Sequence, residues 1–250
     1  RYIRNDKNLD DALELCNQRI ITNNSEVLKK DFYNDGTVAL CCRRDEAAKV
    51  NSQQMALLPG PEYCFNASIE GKFPVNDLPT ERRLKLKKGA RVMILVNKRE
   101  HVMTADSTEH DFEYVNGDIG QVVEIYDNGL SVQLSNGRTV RIQKMRWFSY
   151  EYDLIEEHGR KKIVAQKSGS FEQLPLAVAY ATTIHKAQGQ TLDKIYLKLG
   201  EGCFATGQLY TALSRIRKLD CLYLEEKINI PDVIQNSKVD DFYNTRIWER

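Results

Sequence analysis

The sequence predicts an α/β domain built on a parallel sheet, with a small antiparallel β-barrel inserted into it. Three observations predict this class. Near the C-terminal end, a strand-like run, a glycine-rich loop, a helical run and a second strand-like run follow one another, as they do in a parallel sheet. In the middle, Asn-Gly turns separate short alternating segments that are typical of antiparallel hairpins. The 250 residues are 42% hydrophobic, which is enough for one sizeable core or two small ones.

Four segments define the parallel-sheet unit. Leu176–Thr183 is short and apolar, and predicts a buried strand that runs into a turn. Lys194–Leu199 and Cys221–Leu224 predict two further strands, with a helix over Gln208–Ile216 between them. Val38–Asn51 predicts another strand followed by a helix.

The barrel is predicted from three Asn-Gly turns, at residues 116–117, 128–129 and 136–137, and from the segments QVVEIYD, LSVQLS and RTVRIQ between and after them. Arg91–Val96 supplies an earlier strand and Trp147–Leu154 a later one, giving about five strands. A small barrel fills its interior with large side chains, so the aromatic residues of the later strand are expected in the core. The alternative is that they offer stacking faces to bases; they are Trp147, Phe148, Tyr150 and Tyr152.

The stretch AYATTIHKAQGQTLD carries groups suited to phosphate. IHKAQ predicts one helical turn that closes at Gly189, with Thr182 or Thr183 as its N-cap. The free N–H groups of such a turn, next to His185 and Lys186, form a site where a phosphate oxygen can be held. The alternative is an ordinary capped turn with a solvated His-Lys pair.

A second stretch, GQLYTALSRIR, places Arg215 near the end of the predicted helix. A guanidinium donates a planar fork of N–H groups, which suits a γ-phosphate whose charge spreads in the transition state. The alternative is a surface arginine that interacts favourably with the helix C-terminus.

These two stretches resemble motifs V and VI of the superfamily 1B DNA helicases, most closely the Pif-type and RecD-type enzymes. The resemblance implies a second RecA-like domain, the architecture of P-loop NTPases, with an inserted barrel shaped like a Src-homology-3 domain. It implies that Thr183, His185 and Lys186 lie along single-stranded DNA. It also implies that Gly189 and Gln190 approach the nucleotide and that Arg215 is the arginine finger.

Two segments nearer the N-terminus resemble further parts of that family. Ile3–Leu13 resembles motif IV, which implies that Arg4 also contacts the γ-phosphate; Arg1 is the competing residue. In Val38–Asn51, Arg43 and Arg44 stand where the family usually has Thr or Lys and then Asn, which implies a phosphate contact to DNA with altered side-chain chemistry.

The sequence contains no GxxxxGK followed by Ser or Thr, the loop that cradles phosphates in such enzymes. The one Gly-Lys pair, Gly71-Lys72, is followed by Phe73. We therefore expect the C-terminal part of an ATP-dependent 5′-3′ DNA helicase, inactive alone. ATP and Mg²⁺ would be held mainly by an upstream RecA-like domain of the same protein, and a monomer is expected. Phosphate contacts do not distinguish DNA from RNA unless a 2′-hydroxyl is read.

The predicted domain organisation is discontinuous. Residues 1–98 and 170–230 form the RecA-like domain, residues 99–169 form the barrel, and residues 231–250 form a connecting tail with a short amphipathic helix.

Composition limits the alternatives. The net charge of +1 argues against a generally polycationic binder, so nucleic-acid contact requires local patches such as Glu81–Arg99, or that segment is a half-buried strand with a solvated basic face. Six cysteines without CxxC spacing and four unclustered histidines predict no metal site. With no signal peptide or membrane span, the chain is expected to be intracellular: cytoplasmic, or nuclear or mitochondrial in a eukaryote.

Two other functions are compatible with parts of the sequence. A noncatalytic nucleic-acid-binding module or helicase remnant would use the barrel and the basic segment. A dinucleotide-binding oxidoreductase of the NAD type would use Gly200, Gly202 and Ala205, which fit GxGxxA after a strand, with Glu225 or Glu226 further on.

Overall fold

The computed structural model describes residues 8–21, 32–33, 36–99, 112–157 and 160–236. The chain divides into two compact units, with boundaries between Leu57 and Leu58 and between Ala179 and Tyr180. The first and last parts of the chain form one unit, and residues 58–179 form the other. In the described part, no helix combines the length and the apolar character needed to cross a membrane.

The first unit is built on a four-stranded parallel sheet. Its strands are β1 (Thr37–Cys41), β14 (Ala181–Thr183), β15 (Lys194–Lys198) and β16 (Leu222–Leu224), in the order β14-β1-β15-β16. All three pairings are parallel, and every residue of β1 is buried. Burial on both faces explains why this strand reads as a continuous apolar run. The predicted parallel α/β unit is confirmed.

The same unit contains the α-helices α1 (Leu9–Asn17), α2 (Arg44–Leu57) and α3 (Gln208–Leu213). Helix α2 packs against β1 and β14. Asn51 of α2 hydrogen-bonds to the backbone of the edge strand β14 as a neighbouring strand would. Its Nδ2 donates to the carbonyl of Ala181 at 2.9 Å, and its Oδ1 accepts the Ala181 N–H at 2.8 Å. A side chain of the helix therefore fixes the strand that leads into the His-Lys turn.

The second unit contains a five-stranded antiparallel sheet in the order β10-β9-β8-β5-β13. Its strands are β5 (Arg91–Ile94), β8 (Ile119–Tyr126), β9 (Gly129–Leu134), β10 (Thr139–Gln143) and β13 (Leu176–Val178). The two-residue turn Asp127-Asn128 joins β8 to β9, one position before the predicted Asn-Gly pair, and Gly129 is the first residue of β9. Inserted antiparallel structure is thereby confirmed.

A long hairpin stands apart from that sheet. Strands β11 (Met145–Glu157) and β12 (Arg160–Gln173) pair along their whole length, and β12 also pairs with β3 (Ser68–Gly71). Two shorter pairs complete the unit: β2 (Tyr63–Asn66) with β4 (Arg83–Leu86), and β6 (Lys98–Arg99) with β7 (Phe112–Tyr114).

The single strand predicted over Leu176–Thr183 is in fact two strands. β13 pairs antiparallel with β5 in the second unit, and β14 pairs parallel with β1 in the first. The break lies at Ala179-Tyr180, where the Ala179 N–H donates to Arg91 and the Tyr180 carbonyl accepts from Ala39. One apolar run serves two cores, so composition alone did not reveal the division.

The predicted boundaries at residues 98–99 and 169–170 therefore differ from the observed ones at 57–58 and 179–180. The residues between Leu58 and Arg99 belong with the antiparallel unit because β2 to β5 pair only with strands of that unit among the described residues. The predicted fifth barrel strand, Trp147–Leu154, lies in the hairpin, and β13 takes its place in the sheet.

The aromatic residues of the hairpin do not fill the core as expected. Trp147 packs against the buried Phe171 with ring centroids 5.9 Å apart, but Phe148, Tyr150 and Tyr152 are exposed. The basic segment near β4 is a half-buried strand: Leu84 and Leu86 are fully buried, whereas the charged residues between and around them form local contacts. These contacts are Lys85 with Glu62, Arg83 with Cys64, and Lys87 with the carbonyl of Leu58.

Beyond β16 the chain forms a 3₁₀ turn, Ile230–Asp232, with a capping box between Asn229 and Asp232. Asp232 is buried and its Oδ1 accepts the N–H of Cys203 at 3.2 Å. The start of the predicted tail is therefore packed against the loop that follows β15. The helix predicted within the tail lies outside the described residues.

Candidate nucleic-acid and nucleotide site

The candidate residues collect at the carboxyl edge of the parallel sheet. Cys41, the last residue of β1, is aligned with Thr183 on one side and with Lys198 on the other. Because parallel strands end at the same edge, the loops that follow β1, β14 and β15 emerge side by side. Ligands of open parallel sheets bind at this edge.

The loop after β14 is a compact turn. The N–H of Ala187 donates to the carbonyl of Thr183 at 3.1 Å, and the N–H of Lys186 donates to the Thr183 Oγ1 at 3.3 Å. Thr183 is therefore the cap, one of the two residues predicted for it. The turn closes at Gly189, whose φ of 83° is the left-handed conformation that glycine adopts readily. His185 and Lys186 are exposed on it.

Arg215 holds the far end of this turn. Its Nη1 donates to the carbonyl of Gln190 at 2.9 Å and to that of Ala187 at 3.5 Å, and its Nε donates to the carbonyl of Thr211 at 2.9 Å. The backbone is joined as well, since the N–H of Leu192 donates to the Arg215 carbonyl at 2.8 Å. The two stretches noted in the sequence are thus one hydrogen-bonded piece of structure.

A cluster of side chains surrounds Phe204, in the loop after β15. The Cζ of Arg43 lies 5.3 Å from the centroid of the Phe204 ring, and the His185 ring lies 6.4 Å from it at an interplanar angle of 31°. Phe204 is 54% exposed, an unusual exposure for a large apolar ring. Arg43 also pairs with Glu201 at 3.0 Å. We call Arg43, His185 and Phe204 the aromatic cluster.

Gln208, the first residue of α3, positions two of the loops. Its Oε1 accepts the N–H groups of Phe204 at 3.0 Å and Ala205 at 3.4 Å, and its Nε2 donates to the carbonyl of Cys42 at 3.3 Å. The side chain is buried. Because one amide bridges both loops, it fixes the Phe204 loop relative to the end of β1.

Glu46 lies behind the cluster, in the first turn of α2. A Cβ placed on Gly200 would come within 1.8 Å of the Glu46 Oε1, so the carboxyl group fills the space beside this glycine. Burial raises the pKa of Glu46 above its ordinary value of 4.5, and the bond that it accepts from the Arg43 backbone opposes that shift.

The structure thus brings Thr183, His185, Lys186, Gly189, Gln190 and Arg215 together, and it places Arg43 beside His185 through Phe204. Arg44 is exposed at the first position of α2, one residue beyond the cluster. Arg4 lies outside the described residues.

Sequence reasoning missed Phe204 and Gln208. An aromatic residue inside the glycine-rich loop GEGCFATG was the available signal for Phe204, because such a loop offers it little core to enter. Gln208 stands in an apolar helix start, and its role depends on a residue 166 positions away. No short-range pattern indicates such a contact.

The sequence of the chain is similar to the sequences of known DNA helicases. The chain is 32% identical over 225 residues to the ATP-dependent DNA helicase Pif1 of Bdellovibrio bacteriovorus, covering 88% of this chain and 46% of that protein. It is 35% identical over 202 residues to the human ATP-dependent DNA helicase PIF1, covering 75% of this chain and 27% of that protein. No protein-family model matches the sequence.

Solved structures agree in fold. Unliganded Pif1 from Bacteroides sp superposes with a TM-score of 0.78 at 31% identity, covering 99% of this chain and 53% of that one. A crystal structure of Bacteroides Pif1 helicase in complex with ADP-AlF3 and ssDNA gives a TM-score of 0.73 at 31% identity, covering 99% and 52%. The chain spans about half the length of these bacterial proteins or less. Over most of its length, the chain is therefore homologous to part of the Pif1-type superfamily 1B helicases.

Proposed function

We propose that the chain is the C-terminal, second RecA-like part of an ATP-dependent DNA helicase that tracks single-stranded DNA and completes the ATP site with an arginine. One observation carries the proposal. The exposed His-Lys turn and Arg215 form a continuous hydrogen-bonded piece, so that a group that moves Arg215 also moves the turn. Coupling between a nucleotide and a strand requires such a connection.

On the DNA side, Lys186 and Arg43 supply positive charge to phosphates, and His185 supplies a ring N–H. Phe204 supplies a flat exposed ring on which one base can stack, with the Arg43 guanidinium over the ring and the His185 ring nearby. Arg44 extends the charged surface along α2. Thr183 contributes mainly by shaping the turn, since it is buried and its hydroxyl accepts the Lys186 N–H.

On the nucleotide side, the exposed Gly189 and the half-buried Gln190 form the end of the turn, and Arg215 donates to the Gln190 carbonyl. When a γ-phosphate approaches, the guanidinium can exchange its carbonyl acceptors for phosphate oxygens, which bind it more strongly because they are charged. The relatives' names and the ADP-AlF3 complex support ATP as the nucleotide. We propose that Mg²⁺ and the remaining phosphate contacts come from a preceding RecA-like domain, with Arg4 as a second arginine.

Membership of this branch supports 5′-3′ translocation by a monomer, in a compartment that contains DNA. The dinucleotide-binding alternative is disfavoured by Glu46. Its carboxyl group occupies the space beside Gly200 that a pyrophosphate would need, and an ionised carboxylate there repels one. The noncatalytic binding module remains the second candidate, because both candidates use the same exposed residues.

The test of DNA contact uses the 250-residue chain. Anisotropy of a fluorescein-labelled oligothymidylate should show binding, and each of Lys186→Ala and Arg43→Ala should reduce the slope of log affinity against log salt by about 0.7. Lys227→Ala, an exposed lysine beside α1, is the matched control and should leave the slope unchanged. Equal slopes in all four proteins would refute the assignment. Competition with oligouridylate measures the preference between DNA and RNA.

The test of the motor uses the full-length protein. DNA-stimulated ATP hydrolysis that disappears in Arg215→Ala separates a helicase from a noncatalytic module. If the unsubstituted full-length protein binds single strands but hydrolyses no ATP, the second candidate is correct.

A further inference from the structure

Two cysteines face each other beneath the aromatic cluster. The Sγ atoms of Cys42 and Cys203 are 3.8 Å apart, although 160 residues separate them in the sequence. Cys42 is buried directly after β1, and Cys203 is half-buried in the loop after β15. Neither residue has a part in the proposed binding of DNA or ATP.

The fold holds both thiols in place by their backbones. Gln208 donates to the carbonyl of Cys42 and accepts the N–H of Phe204, the residue that follows Cys203. Asp232 accepts the N–H of Cys203 itself. Three hydrogen bonds, two of them made by the one Gln208 side chain, therefore hold together the two loop backbones that carry these sulfur atoms.

The two thiols differ in acidity. The hydrogen bond from Cys42 lowers the pKa of Cys203, and the backbone N–H of Leu209 acts in the same direction. The same thiol–thiol bond, with burial, raises the pKa of Cys42. Cys203 is therefore the sulfur that ionises first, and it is also the more accessible of the two.

We propose that Cys42 and Cys203 form a reversible disulfide when the protein meets a hydroperoxide, and that this bond joins the loop that carries Arg43 to the loop that carries Phe204. The Cys203 thiolate attacks one peroxide oxygen, so that an S–O bond forms, the O–O bond breaks and the leaving hydroxide takes a proton to become water. Cys42 then attacks the sulfur of the resulting sulfenic acid. The S–S bond forms, the thiol proton and the hydroxyl leave as a second water, and hydrogen peroxide has been reduced by two thiols.

The required movement is small. A disulfide brings its sulfur atoms to about 2.0 Å, so the two sulfur atoms must approach each other by about 1.8 Å. Gly200 and Gly202 precede Cys203 and both have positive φ. Because glycine adopts many backbone conformations, they allow the loop that carries Cys203 to adjust. The neighbouring Cys41 is fully buried within β1, and burial raises its pKa to about 12, which keeps it from competing.

The experiment uses the complete 250-residue chain. The reduced protein is exposed to hydrogen peroxide, quenched with N-ethylmaleimide, digested without reductant and analysed by mass spectrometry. A peptide that joins Cys42 to Cys203 should appear, and dithiothreitol should remove it. It should be absent from Cys42→Ser and Cys203→Ser, and it should persist in Cys64→Ser, which removes an exposed thiol elsewhere.

Either of two results would overturn the proposal. In the first, peroxide oxidises Cys64 but the peptide that joins Cys42 to Cys203 never forms. In the second, Cys203 is oxidised to the sulfinic acid at the same rate in wild type and Cys42→Ser. If Cys42→Ser fails to fold, the wild-type protein still tests the proposal. N-ethylmaleimide should modify reduced Cys203 faster than Cys42, and treatment with peroxide should protect both cysteines from N-ethylmaleimide together. The disulfide does not depend on the proposed function. The link with DNA is tested separately, by measuring single-strand affinity before and after peroxide treatment. The affinity should change in wild type, dithiothreitol should reverse the change, and Cys203→Ser should show no change.

Discussion

The Nη1 of Arg215 donates to the main-chain carbonyl of Gln190 at 2.9 Å, across 25 residues of sequence. The contact joins the end of α3 to the turn that exposes His185 and Lys186. Arg215, the proposed γ-phosphate ligand, therefore already holds closed the turn that we propose contacts DNA. Its substitution should have two separable effects.

Arg215→Ala should lower the turnover number of DNA-stimulated ATP hydrolysis in the full-length protein by about 10³-fold or more, the size of an arginine-finger effect. It should also weaken single-strand binding by the 250-residue chain several-fold, because Ala187 and Gln190 lose the donor that orders their turn. Steady-state ATPase assays and anisotropy measure the two effects.

Arg215→Lys is the matched control. Lysine keeps the charge but not the planar fork, so it should restore part of the turn's order and little of the turnover. Near-normal ATP hydrolysis in either variant would exclude Arg215 from the nucleotide site.

Phe204→Ala should weaken binding of single-stranded DNA by about 1–3 kcal/mol, the contribution of one base stacked on an aromatic ring. Phe204→Trp should preserve affinity and report it directly, because stacking quenches indole fluorescence. Tyr63→Ala removes a ring of comparable exposure from the other unit and should change nothing. Unchanged affinity in Phe204→Ala would show that the ring packs only on Arg43 and His185.

Asn51→Ala should reduce the free energy of unfolding by about 1–3 kcal/mol, because it removes both hydrogen bonds to Ala181 and leaves strand β14 without a partner on its outer edge. Asn51→Asp keeps the acceptor for the Ala181 N–H and loses the donor to the Ala181 carbonyl. Its free energy of unfolding should therefore lie between those of wild type and Asn51→Ala. Urea denaturation followed by circular dichroism provides the measurement. A loss equal in both variants would mean that only the donor matters.

Glu46 should make stability depend on pH. Its pKa in the folded chain is raised by burial, so the folded state binds this proton more tightly than the unfolded state does. The stability that depends on protonated Glu46 is therefore fully present below pH 4.5 and is lost as the pH rises through the raised pKa. Glu46→Gln should be more stable than wild type at pH 7, because glutamine still accepts the Arg43 N–H and carries no charge.

The difference between Glu46→Gln and wild type should shrink on acidification and disappear below 4.5, where Glu46 is protonated in both states. Urea unfolding across this range measures it. A difference that is constant with pH would refute burial of the ionised carboxylate. Asp45→Asn, a change at the adjacent exposed carboxylate, provides the comparison.

Local chemistry predicted the parts of the site that local hydrogen bonds build. The cap at Thr183, the closing glycine at residue 189 and the parallel strand-helix-strand unit after it all follow from residues within a few positions of one another. The placement of Arg215 against Gln190 required the resemblance between the two stretches and known motifs, because the partners are 25 positions apart in the sequence.

Long-range pairing decided what the sequence did not predict. Leu176–Val178 and Ala181–Thr183 have the same apolar character, yet one pairs antiparallel with β5 and the other parallel with β1. Residues Trp147 to Leu154 alternate as a barrel strand would, but β12 extends them into a hairpin instead. A strand's period indicates which residues share a face, and it does not identify the strand's neighbour.

The hairpin β11–β12 has a further consequence, for how the protein behaves in solution. Tyr152, Leu154 and Ile163 are 72%, 63% and 68% exposed, on a ribbon that pairs with no strand except β3 among the described residues. Such edges join those of other molecules unless charge keeps them apart. Lys161 and Lys167 lie on the same face of the ribbon as these apolar residues, whereas Glu151, Asp153 and Lys162 lie on the opposite face. Resistance to aggregation at high protein concentration therefore depends on these charges. Replacing the lysines with neutral residues would favour association of strands from different molecules.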